Sequence, residues 1–85
     1  MTYKIEFTKA AEKSLADIPR ADLKKLAKKI DKLASNPFPE GSEKLKGCDN
    51  LFRIRQGDYR ILYSVCSGKL LVLIVKIGHR REVYR

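Results

Sequence analysis

At 85 residues, with 44% hydrophobic and 34% charged side chains, the chain is sized for one compact domain and is too apolar for a disordered tail. Nineteen lysines and arginines against ten acids give a net charge of +9, which favours polyanionic partners over cationic ones. The charge is uneven, eleven basic residues against eight acids over 1–49 and eight against only Asp58 and Glu82 over 50–85, so the C-terminal half is the expected anion-facing half.

Tyr3, Ile5 and Phe7 alternate with Lys4 and Glu6, the period of a half-buried strand. Thr8 is placed to cap a short helix in which Ala11, Leu15 and Ile18 share a face, stopped near Pro19. A second, stronger helical stripe runs through Leu23, Leu26, Ala27, Ile30, Leu33 and Ala34. Lys24, Lys25, Lys28, Lys29 and Lys32 fill its other side, read first as a solvated face and second as an RNA-binding one. Pro37, Pro39 and Gly41 then open a loop that reaches Asn50.

From Leu51 the period changes to that of strands, expected over 51–56, 59–66 and 69–77, with a short last one at 81–84. Gly57-Asp58 and Ser67-Gly68 suit hairpin turns, and the apolar run Leu70–Val75 suits a strand covered on both faces. Gly78 is expected to let the backbone bend out of that strand. The expected fold is a single α+β domain over 1–85: an N-terminal strand, a helical hairpin, then an antiparallel meander, β-α-α-β-β-β-β, with the helices on one face of the sheet. The apolar run is too short to span a bilayer, and the N-terminus lacks the apolar core of a secretion signal. Cys48 and Cys66 have no metal-ligand spacing and are too few for a disulfide framework. A reduced, cytoplasmic protein is expected, without membrane segment or cofactor.

Placing Gly57 and Asp58 in a two-residue turn sets Gln56 opposite Tyr59, Arg55 opposite Arg60, Ile54 opposite Ile61, Arg53 opposite Leu62 and Phe52 opposite Tyr63. Phe52, Ile54, Ile61 and Tyr63 then share the core face, while Arg53, Arg55 and Arg60 share the other; a one-residue slip would mix the two sets. Directly opposed arginines disfavour a sheet unless an anion fits between them, and guanidinium groups fork onto phosphate. Asp58, at the turn, is the only acid expected nearby. A second group, Gly78-His79-Arg80-Arg81-Glu82-Val83-Tyr84-Arg85, adds the sole histidine, more guanidinium groups and a phenol, and is expected to approach the arginine face if the last strand pairs back.

These two blocks, Leu51–Tyr63 with its Gly-Asp-Tyr-Arg turn and Ile77–Tyr84 with its closing Glu-Val-Tyr, together with Lys44-Leu45-Lys46-Gly47 ahead of them, resemble the RelE/ParE toxin superfamily. The resemblance implies the toxin of a type II toxin–antitoxin module, in the RelE branch a ribosome-dependent endoribonuclease that cuts mRNA in the ribosomal A site without metal. It implies catalytic roles for Arg53, Arg55, Arg60, Arg80 and Tyr84, with His79 or Arg81 as further acid/base or RNA contacts and Lys44, Lys46 and Arg85 on the substrate. Arg53 and Arg55 stand where better-known members carry lysine, and arginine cannot serve as a base. Its implied partners are a cognate antitoxin, mRNA and the ribosome, with operator DNA reached only through the toxin–antitoxin complex. Two other readings share the fold: a ParE-like inhibitor of DNA gyrase that cleaves nothing, and an inactive relative that binds antitoxin or RNA.

Overall fold

The computed structural model describes residues 2–45 and 50–79. Strand β1 (Lys4–Phe7) leads into helices α1 (Lys9–Ala16) and α2 (Arg20–Ser35). A two-residue strand β2 (Glu43–Lys44) follows, then β3 (Leu51–Gln56), β4 (Tyr59–Cys66) and β5 (Leu71–His79). The sheet order is β1-β5-β4-β3-β2. Strands β3 to β5 form the expected antiparallel meander, β2 extends it at one edge from within the segment expected to be loop, and β1 adds to its far side parallel to β5, which makes the sheet mixed. The expected strand over 81–84 lies outside the described residues.

Both helices pack on one face, because the apolar stripes that define them have only the sheet to bury against. Ala11, Leu26, Ile30 and Leu33 meet Ile54, Ile61, Tyr63, Val65, Val72, Ile74 and Ile77 in one core. Thr8 ties this layer to the sheet. Its hydroxyl accepts from Ala11 N at 3.1 Å, capping α1, and donates to Val75 O at 2.6 Å on β5. Tyr63 carries the polar end of the core, its hydroxyl donating to Pro37 O at 2.9 Å while its ring stacks on Phe52.

Three local expectations are corrected. The β4–β5 connection is not a two-residue Ser67-Gly68 turn: Ser67–Lys69 forms a 3-10 turn closed by Leu70 at φ 50°, so β5 starts at Leu71. Nor is β5 covered equally on both faces, since Val72 and Ile74 are buried whereas Leu71, Leu73 and Val75 are half-buried. Gly78 does not turn the chain out of the strand but pairs with Arg60 inside the sheet.

A bulge reorganises β5. Leu62 pairs with Lys76 but Tyr63 pairs with Ile74, leaving Val75 as the extra residue whose carbonyl Thr8 takes up. The extra residue inverts the alternation, so the helix side is reached by Val72 and Ile74 before the bulge and by Ile77 and His79 after it.

Candidate nucleic-acid interface

The β3–β4 hairpin has the register that the residue pattern predicts, pair for pair from Phe52–Tyr63 to Gln56–Tyr59. Gly57 makes the tight turn possible: it takes φ +61° while Asp58 stays on the ordinary side, as the first position of a II′ turn requires. With the turn fixed, alternation sends Ile54 and Ile61 into the core and Arg53, Arg55 and Arg60 to the opposite face.

The three arginines line one hollow of about 140 Å3, together with Gly41, Glu43 and the Ile54 position. Their environments differ. Arg55 is exposed, whereas Arg60, its directly opposed partner, is only 6% exposed. Gly78 faces Arg60 from β5 and offers no side chain to crowd it. Arg53 is held from the other side by β2, where Nη2 donates to Glu43 Oε2 at 2.5 Å. The pair is a register pair across β2 and β3, so backbone geometry sets it.

Glu43 is the residue that sequence reasoning missed. The expectation of an arginine face with Asp58 as its only nearby acid is therefore corrected: a carboxylate sits in the hollow itself. No alternation could have revealed it, because β2 is two residues long and follows a proline-rich loop. Gly41, at φ +95°, allows the sharp approach of the loop to the sheet.

Lys44 is exposed and pairs with Phe52, a core-side residue, so it points away from the hollow. His79 is also on the helix side. It pairs with Tyr59, their rings 5.7 Å apart and edge to face, and lines a separate hollow of about 260 Å3 with Asp22, Lys25, Gln56, Gly57 and Asp58. The structure thus brings together Arg53, Arg55 and Arg60, and does not bring His79 or Lys44 to them. Lys46, Arg80, Arg81, Tyr84 and Arg85 lie outside the described residues.

Guanidinium groups from two strands around a concave surface can grip a phosphodiester with paired N–H donors and stabilise charge that builds on it. Residues 5–84 match the family model described as the ParE toxin of the type II toxin–antitoxin system parDE. The chain belongs to the RelE/ParE superfamily of type II toxin–antitoxin toxins. It is 34% identical over 88 residues to the toxin RelE1 of Methanocaldococcus jannaschii, covering 100% of this chain and 98% of that protein. It is 30% identical over 88 residues to the mRNA interferase toxin RelE of Escherichia coli K12, covering 99% and 92% respectively. Its fold superposes on the archaeal RelE–RelB complex of Pyrococcus horikoshii with a TM-score of 0.84 at 32% identity, over 96% of this chain and 99% of that one. No helix among the described residues is long and apolar enough to cross a membrane.

Proposed function

We propose that this RelE/ParE toxin is an endoribonuclease of the RelE branch, cutting mRNA on the ribosome by attack of the ribose 2′-hydroxyl on the adjacent phosphate. The observation that carries the reading is the convergence of Arg53, Arg55 and Arg60 on one hollow beside a backbone-fixed hairpin. RNA supplies its own nucleophile. The products are a 2′,3′-cyclic phosphate and a 5′-hydroxyl end, and the reaction needs alignment and charge stabilisation rather than a metal. Arg55, exposed, would meet the phosphate first; Arg60, buried, would hold the oxygens on which charge grows in the transition state. Arginine stays protonated, so proton transfer falls to other groups, with Arg80, Arg81 and Tyr84 of the terminal motif as the candidates the resemblance supplies. The relatives named RelE, one of them an mRNA interferase, support the reading. A cognate antitoxin like the RelB of the Pyrococcus complex would mask the hollow.

The matching family model, described for ParE toxins, favours one rival, inhibition of DNA gyrase without cleavage. The two readings part in cells within minutes of expression. Mapping mRNA 5′ ends should show codon-positioned cuts in translated messages; intact messages with a DNA-damage response would overturn the endoribonuclease reading.

A further inference from the structure

The carboxylate of Glu43 stands where a substrate anion would stand. It meets Arg53 at 2.5 Å within the hollow that Arg55 and Arg60 also line. The two partners are held unequally, the Glu43 side chain being 66% exposed and that of Arg53 22%. The Arg53 side chain is therefore mostly covered by its surroundings, while the Glu43 side chain reaches water. An ion pair this exposed is weak, because solvent screens it and two long side chains must be ordered to make it. A phosphodiester entering the hollow reaches more than one guanidinium with forked donors and outcompetes it.

We infer that Glu43 is an internal competitor for the substrate phosphate: it occupies Arg53 in the free protein and is displaced when RNA binds. The inference rests on the hollow being the RNA phosphate site and adds a regulation of that site. The displacement weakens every phosphate ligand of the hollow by the same factor, so weakly held ligands are lost while strongly held ones stay bound. RNA that touches only the hollow must displace a carboxylate and repel its charge, so it is held poorly. RNA already aligned by contacts elsewhere has that displacement offset and is held well. The internal anion thus restrains a protein of net charge +9 from engaging any passing polyanion.

The test compares the full chain with its Glu43→Gln variant, which keeps the side-chain shape and the backbone pairing of β2. Two probes are used at low ionic strength. Inorganic phosphate is followed by the Arg53 Nε–Hε resonance, and a short single-stranded RNA made uncleavable by 2′-O-methylation is followed by fluorescence anisotropy. Both should bind about two- to fivefold tighter to Glu43→Gln, the range an exposed ion pair spans. Cleavage of short, subsaturating RNA should rise in step. Unchanged or weaker binding of both probes would overturn the inference, as would lost cleavage at unchanged affinity, which would make the carboxylate a participant in proton transfer. Tighter phosphate binding with no RNA binding by either protein would uphold the competitor and instead sink the RNA reading of the hollow.

Discussion

Arg55 and Arg60 face each other across the β3–β4 hairpin, yet Arg55 is exposed and Arg60 is only 6% exposed. Equal charges in unequal surroundings should respond differently to removal. Arg55→Ala is expected to lower RNA cleavage by on the order of 10²-fold while leaving the melting temperature within about 2 °C of the parent, since exposed substitutions rarely disturb folding. Arg60→Ala is expected to lower cleavage at least as far and to destabilise the domain by about 2–3 kcal/mol, through the cavity and the lost packing of its aliphatic stem. Thermal denaturation beside single-turnover cleavage checks both. An Arg55→Ala protein as active as the parent would remove the hollow from the mechanism.

His79 provides the contrast. Because the Val75 bulge delivers it to the helix side, His79→Ala should change cleavage less than about tenfold, against the 10²–10³-fold expected for a transition-state donor. What it should lose is its edge-to-face contact with Tyr59, worth about 0.5–1.5 kcal/mol. A double-mutant cycle with Tyr59→Ala, read by urea denaturation, measures that coupling.

The Gly57 turn makes a cleaner conformational prediction. A Cβ at Gly57 meets no more distant part of the molecule within 4 Å, but φ is +61°, so Gly57→Ala is strained against its own local backbone alone. The expected cost is about 1–2 kcal/mol, with Gly57→Asn no nearer the parent, because the first position of a II′ turn lies outside the left-handed helical region that Asn tolerates. Denaturant midpoints of the two variants test this.

Tyr63 links stability to pH. Burial pushes its phenol above the ordinary tyrosine value of 10.0, and a side-chain hydrogen bond with Ser42 works the other way. The folded state holds this proton more tightly than the unfolded chain. Its contribution is therefore intact below about pH 10 and is lost as the pH rises through the raised native value. Unfolding free energy should fall in that alkaline range, and less steeply in Tyr63→Phe. That variant should also cost about 1–3 kcal/mol at neutral pH, since the buried Pro37 carbonyl loses its donor.

How much of this was legible beforehand varies with the length of the pattern. Phe52, Ile54, Ile61 and Tyr63 interleave with Arg53, Arg55 and Arg60 over two full strands, and a glycine marks the turn, so register and face followed directly. The helices were readable from stripes that extend over several turns and from the Thr8 cap. Glu43 was hidden because two residues have no period. The side reached by His79 was hidden because Leu70–Val75 is apolar throughout, and a bulge inside such a run leaves no break in the alternation to detect. The parallel seat of β1 beside β5 was hidden too, since Tyr3, Ile5 and Phe7 declare a strand but not its neighbour.

That seat has a consequence for how the molecule comes into being. Residues 4–7 are matched with 71–74, and Thr8 with Val75, so β1 leaves the ribosome well before its mate and has none until β5 has been translated. Pairing across such a sequence separation is slow to form and closes late. A product cut short before residue 71 keeps its arginine hairpin in covalent form but loses the strand that flanks β4, and with it the footing of Arg60. Assembly of the arginine hollow is therefore tied to the translation of β5, and synthesis interrupted before it leaves a fragment without that support.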